Sequence, residues 1–369
     1  MTPVDRPAPR HVQVNLPGRR YDITIGPGQL GQLYAQLQSL GPTAVAVVTD
    51  RNVARHYLEG VLAGLDEAGL RTVPVTVKPG ESSKSIRRLS TLYDKLLEAG
   101  LDRKSVVVAL GGGVVGDLAG FTAATLLRGI RYVQVPTSLL AMVDSSVGGK
   151  VGINHKLGKN LVGAFLQPRA VLADTDTLAT LPRRQFVSGM AEVIKYGVIL
   201  DEAFFDELAA SAEQVLALDA ETVGEMVARC CRWKAWVVER DEKESGLRAI
   251  LNYGHTFGHA VEALTDYARY THGEAVALGM MAAGRLAVDL GMVDESFQQR
   301  QRRCLEAYGL PTGADDLNPE AMVAAFRHDK KASAGVPTFV LPEAMGRVKM
   351  VRDIEPKQLL ESMKRFVND

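Results

Sequence analysis

Apolar residues in the first half of the chain cluster in short, mostly β-branched runs. The two strongest are 44–50 (AVAVVTD) and 105–110 (SVVVAL). Unbroken runs of this length suit strands buried on both faces of a parallel sheet. Weaker strand patterns occupy 11–16, 21–25, 72–77 and 131–135, the last closed by Pro136. Helical spacing fills 28–40, 55–68 and 85–99, and 78–83 (KPGESS) reads as a loop. Strands alternating with helices predict a parallel sheet covered on both faces.

The texture changes after Leu181-Pro182. Residues 186–200, 204–218, 220–239, 258–264, 274–290 and 297–308 all carry helical spacing, and the next strand pattern is 337–341. The expected organisation is an α/β domain over 1–181 and a helical domain over 182–369. Lys plus Arg and Asp plus Glu are both 43, which gives no footprint for nucleic acid or a membrane surface. No apolar run is long enough to span a membrane. The polar start MTPVDRPAPRHVQV does not read as a signal peptide. The three cysteines, Cys230, Cys231 and Cys304, read as reduced thiols, so a cytoplasmic location is expected.

Chemistry concentrates in four places. The run Gly111-Gly112-Gly113-Val114-Val115-Gly116-Asp117 follows the SVVVAL strand directly and precedes a helical pattern. Gly111, Gly113 and Gly116 fit the G-x-G-x-x-G spacing, which lets a pyrophosphate approach a helix N-terminus. A structural tight turn is the plain alternative. An acid for the ribose should follow about twenty residues on, and none ends the next strand. Asp50, at the end of 44–50, is the substitute, which implies a variant topology. Residues 136–160 (PTSLLAMVDSSVGGKVGINHKLGKN) read as a long polar loop with Asp144, Lys150, Lys159 and Asn160, suited to phosphate groups unless simply solvated.

Glu192 and Lys195 stand three apart in an otherwise apolar helix, either as a functional pair or as a surface ion pair. His255, His259 and His272 are three of only seven histidines. His255 and His259 are one helical turn apart, so spacing alone favours them as paired metal ligands. Thr256 follows His255 where a zinc protease would carry Glu, so the carboxylate ligand must come from elsewhere, and Glu192 is the candidate. Lys234, Arg248, Asn252, Lys330 and Lys331 add groups suited to an anionic, oxygen-rich substrate.

The blocks GGGVVGDLAGFTAATLLRG (111–129), PTSLLAMVDSSVGGKVGINHKLGKN (136–160), SGMAEVIKYG (188–197), RAILNYGHTFGHAVE (248–262) and HGEAVALGM (272–280) together resemble the 3-dehydroquinate synthases of the shikimate pathway, a branch of the sugar phosphate cyclases. The resemblance implies a Rossmann-like NAD-binding α/β domain, an all-α C-terminal domain and a homodimer. It implies Glu192, His255 and His272 as zinc ligands, with cobalt as an alternative, and moves His259 to the substrate. NAD would meet Asp50, Asn52, Gly80, Glu81, Ser82, Ser83, Lys84, Gly113, Val114, Val115, Gly116, Asp117, Thr137, Ser138, Lys150, Lys159, Thr177, Leu178, Ala179 and Thr180. Catalysis would fall to Asp144, Lys150, Lys195, Lys234, Asn252 and His259. Asn160, Arg248, Lys330 or Lys331, and Arg128 from the neighbouring subunit would hold the substrate.

The implied reaction turns 3-deoxy-D-arabino-heptulosonate 7-phosphate into 3-dehydroquinate and phosphate. NAD takes hydride from C5 and later returns it, phosphate leaves after loss of the C6 proton, and the opened ring recloses by an aldol step. Relatives acting on sugar phosphates without a carboxylate typically depart around Arg248, Asn252 and His259, all of which this chain keeps. A metal- and NAD-dependent polyol dehydrogenase and a nucleotide-sensing module are the competing readings.

Overall fold

The computed structural model describes residues 6–314, 317–326 and 337–368. The chain forms two compact units, one of Met1–Pro182 with Leu218–Lys243, the other of Arg183–Ala217 with Glu244–Asp369.

The first unit is built on a seven-stranded sheet. Its strands are β1 (Arg10–Val14), β2 (Tyr21–Gly26), β3 (Val45–Asp50), β4 (Thr72–Val77), β5 (Val106–Gly111), β6 (Arg131–Pro136) and, after the hairpin β7 (Lys150–His155) and β8 (Gly158–Phe165), β9 (Ala170–Asp174). The order is β1-β2-β9-β6-β5-β3-β4, with every pairing parallel except β1 against β2. The β-branched runs lie at the centre because a parallel strand buries both faces. Val45 and Val47 join one core with Val106 and Val108, while Ala46 and Val48 join the opposite core with Val107 and Ala109. Pro74 is tolerated because β4 is an edge strand.

Two expectations for this unit need correction. Residues 136–160 are not one long loop, because β7 and β8 pair antiparallel there. Gly152 faces Gly163 in that pair, and a Cβ on Gly152 would stand 2.6 Å from the Val162 carbonyl oxygen. The hairpin therefore needs glycines where a strand pattern would show β-branched residues. The single boundary at 181 also omits a return of the chain. Helix Ala220–Arg240 packs on the first unit through its buried face, and at its rim Glu225 Oε2 accepts from Arg10 Nε at 3.0 Å and Glu239 Oε1 from Asn15 N at 2.6 Å.

The second unit is helical, but it also holds an antiparallel pair, β10 (Phe339–Ala344) with β11 (Arg347–Val351), that an all-α domain would lack. Its central helices are Arg183–Leu200, His255–Leu264 and His272–Asp289. The first is buried without a break from Ser188 through Ile199. Close approach of the other two depends on Gly279, where a Cβ would fall 1.9 Å from the Gly254 carbonyl oxygen.

Candidate active site

In the first unit the strand order reverses between β3 and β5. The chain runs outward from β3 to β4, then returns to place β5 on the other side of β3. This is the flavodoxin-like order, in which ligands bind outside the carboxyl ends of the strands at the switch point. Apart from Lys150 and Lys159 on the β7–β8 hairpin, the expected nucleotide residues lie at or just beyond the carboxyl ends of five parallel strands: Asp50 and Asn52 at β3, Gly80–Lys84 at β4, Gly113–Asp117 at β5, Thr137 and Ser138 at β6, and Thr177–Thr180 at β9.

Helix Gly113–Thr125 starts at the switch point with Gly112 as its N-cap and no capping side chain. The first intrahelical bond is Gly116 N to Gly112 O, at 3.0 Å. The N–H groups of Gly113, Val114 and Val115 are therefore offered to an anion. Val115 and Leu178 are buried, so only their backbones can serve a nucleotide. Asp50 spends one carboxylate oxygen capping Asn52 N (2.8 Å) and Val53 N (3.2 Å).

Lys84, buried, bonds Asp117 Oδ2 at 2.6 Å and also Asn160 Oδ1. Burial pushes the Asp117 carboxyl up from its ordinary value, against the pull of Lys84. Asn160, expected at the substrate, holds a left-handed backbone (φ 55°) and donates its N–H to Asn154 Oδ1 at 2.9 Å, within this same network. Lys234 is buried and bonds both the backbone oxygen and the carboxylate of Asp144. Lys150 and Lys159 are exposed on β7 and β8. Arg128 is exposed beside Leu127 on a turn where both residues have positive φ.

The second unit brings three distant side chains together. One ligand atom each from Glu192, His255 and His272 lies within 4.8 Å of the others. Nε2 of His255 is 3.4 Å, and Nε2 of His272 3.6 Å, from the same Glu192 oxygen, Oε1. That oxygen is buried and accepts no hydrogen bond, while Oε2 is bonded by Lys195. An orphaned buried carboxylate oxygen facing two imidazole nitrogens fits a divalent cation, and the donor set is that of catalytic zinc with a position left open.

Burial alone would raise the Glu192 carboxyl, but Lys195, His255 and His272 hold it well below the usual carboxylate range. Burial drives His255 well below its ordinary value, against the pull of Glu192. Burial acts on His272 in the same direction, yet Glu192 and Glu262 raise it to about 9.

The converging group departs from the spacing argument, which pairs His255 with His259. His259 is one turn from His255, with ring centroids 5.7 Å apart and planes perpendicular, and it is not in the converging group. Helical neighbours share a face without sharing a focal point. His272 does, because it begins its own helix against the Glu192 helix. Thr271 and Glu274 form a capping box there, and Arg184 clamps both Glu274 oxygens at 2.7 Å. Gly273 N donates to Ser188 Oγ at 3.0 Å, and a Cβ on Gly273 would stand 1.7 Å from the Ser188 carbonyl oxygen. Gly273→Ala is therefore expected to force the two helices apart, lowering stability by at least the ~1–3 kcal/mol typical of overpacking and weakening metal binding. Thermal denaturation with and without zinc checks this.

Arg248 is buried on the 3₁₀ segment Leu247–Asn252. Asn252 Nδ2 donates to Glu244 Oε1 at 3.1 Å. Glu244 (φ 60°) and buried Glu262 touch expected site residues, yet neither was singled out from the sequence. Lys330 and Lys331 lie outside the described residues.

Two family models match the chain, described as 3-dehydroquinate synthase N-terminal over residues 74–188 and 3-dehydroquinate synthase C-terminal over 189–332. A relative from Pelotomaculum thermopropionicum named 3-dehydroquinate synthase is 52% identical over 353 residues, covering 95% of each chain. The chain belongs to the 3-dehydroquinate synthase family. A second family relative, from Nostoc punctiforme, is 49% identical over 359 residues, 95% of this chain and 99% of its own. Among solved structures, 2-epi-5-epi-valiolone synthase from Streptomyces hygroscopicus subsp. jinggangensis, with NAD⁺ and Zn²⁺ bound, superposes at a TM-score of 0.86. It is 26% identical and covers 94% of this chain and 97% of its own. Among the described residues no helix is long and apolar enough to cross a membrane.

Proposed function

We propose that the protein acts as a 3-dehydroquinate synthase, a lyase that converts 3-deoxy-D-arabino-heptulosonate 7-phosphate to 3-dehydroquinate and inorganic phosphate. The observation that carries this reading is the convergence of Glu192, His255 and His272 in a chain of this family. When bound, NAD supplies a reversible hydride acceptor and a divalent metal, zinc or cobalt, supplies a Lewis acid.

The chain's own residues do the holding. Glu192, His255 and His272 would take the metal. The uncapped N–H groups of Gly113–Val115 would take the pyrophosphate, with the loops of Asp50, Gly80–Lys84, Thr137, Ser138 and Thr177–Thr180 around the rest of the nucleotide. Lys195, fixed against Glu192, places a positive charge beside the metal ligands. Asp144 and Lys234 form a charged pair that can hold a proton between carboxylate and amine. Lys150, Asn160, Asn252, His259, and Lys330 or Lys331 would complete the polar surround of the sugar phosphate. Arg128, on its strained turn, would reach the phosphate site of a second copy, making the working form a cytoplasmic homodimer.

Arg248 offers a planar fork of donors that matches a carboxylate. Arg248→Ala is expected to lower kcat/KM for the heptulosonate by about 10²-fold or more, as losing one partner of a buried charge pair does. Steady-state kinetics on the heptulosonate check it. The reaction itself is tested by incubating the protein with the heptulosonate phosphate, NAD and zinc. One phosphate per 3-dehydroquinate with no build-up of NADH is the expected outcome. NADH accumulating in step with product would make it a dehydrogenase instead.

A further inference from the structure

Glu262 lies seven residues after His255, two turns along helix His255–Leu264 and on the same face. Only 6% of it is exposed. A buried carboxylate needs a compensating partner, and Glu262 faces His272: Nδ1 of that imidazole is 3.6 Å from Glu262 Oε1. The other ring nitrogen, Nε2, is 3.6 Å from Glu192 Oε1. His272 thus stands between two buried carboxylates, one in the converging trio and one outside it.

His255 is held differently. Its Nδ1 is 3.1 Å from the backbone oxygen of Tyr253, a neutral acceptor, and its Nε2 turns to the same Glu192 oxygen. Both imidazoles therefore present Nε2 inward and Nδ1 to an acceptor behind. An imidazole whose Nδ1–H is accepted from behind keeps its Nε2 lone pair free for a cation, and a charged acceptor makes that lone pair more basic than a carbonyl does.

We propose that Glu262 is a positioning residue for the metal. It accepts the Nδ1–H of His272, fixes that ring in the tautomer with Nε2 as ligand, and strengthens its hold on a divalent cation. Thr271 and Glu274 cap the start of the His272 helix, and Arg184 clamps Glu274, so the backbone under the ring is fixed independently. Glu262 supplies what the cap does not, the rotation of the ring and its proton. The proposal rests on Glu192, His255 and His272 being the metal ligands.

The test uses the full chain with zinc and with Co²⁺. Glu262→Gln keeps the shape of the side chain and removes its charge. Competition against a chromogenic chelator is expected to show metal affinity falling about 10–100-fold, the usual consequence of losing such a partner. The Co²⁺ absorption bands are expected to shift, while NAD affinity stays unchanged. A variant that only lowers thermal stability and binds metal as tightly as the wild type would overturn the proposal. If the wild type itself binds no metal, the ligand assignment fails instead. Should Glu262→Gln not fold, histidine-selective ¹⁵N NMR of the wild-type zinc form decides. A proton on His272 Nδ1 with Nε2 bound to metal supports the proposal, and metal on Nδ1 overturns it.

Discussion

Replacing Glu192 with Gln is expected to remove most of the bound metal and nearly all activity. An amide oxygen is a far weaker ligand than a carboxylate, so the loss should exceed the 10–100-fold that follows removal of an outer partner. The substitution also strands Lys195, which is 1% exposed and bonds Glu192 directly. A buried ammonium without its counter-charge costs about 3–5 kcal/mol. The variant should therefore contain little zinc after dialysis, melt earlier than the wild type, and release phosphate at background rates. Elemental analysis, calorimetry and a phosphate assay on one preparation check all three. A Gln variant that keeps full metal and full turnover would remove Glu192 from the ligand set.

Lys195→Met should separate two effects that Glu192→Gln merges. Without Lys195 the Glu192 carboxylate is buried with no ammonium beside it, and the metal-free protein should lose about 3–5 kcal/mol. A bound cation restores the missing charge, so zinc should stabilise this variant more than it stabilises the wild type. Metal affinity should hold or rise, because Oε2 is no longer engaged. Turnover should nevertheless fall by about 10²-fold or more, as it does when one preorganised charged donor is lost from a reacting centre. Melting curves with and without zinc, beside kcat, give the comparison. Equal zinc-induced shifts in wild type and variant would show that the ammonium does not compensate Glu192.

Much of this was legible in the chain, for identifiable reasons. The runs 44–50 and 105–110 announced central parallel strands because burial on both faces leaves no polar position to blur the pattern. The glycine turn was legible by spacing, and Asp50 as the substitute acid pointed to a variant order. That order, with its reversal between β3 and β5, is a property of the assembled sheet that no local pattern carries. The hairpin of β7 and β8 was hidden because Gly152 and Gly163 replace the β-branched residues that mark a strand. Helix Ala220–Arg240 was legible as a helix, but amphipathic spacing says that a face is buried and not which core buries it.

The metal group shows the same limit. Periodicity could pair His255 with His259 because both lie on one helix. His272 enters through a tight helix start that depends on Gly273, and Glu192 comes from another helix more than sixty residues upstream. The resemblance to the family's sequence blocks, and not spacing, pointed to the three side chains that the structure brings together. Glu262 left no separate trace, since a glutamate two turns after a histidine reads as an ordinary helix charge until its burial is seen.

The most direct measurement is an anomalous difference map at the zinc edge from crystals of the zinc-loaded protein. One strong peak is expected, bonded to a Glu192 carboxylate oxygen and to Nε2 of both His255 and His272, with metal–nitrogen distances of about 2.0–2.1 Å. A peak ligated through His259 in place of either imidazole, or no peak near Glu192, would contradict this ligand set.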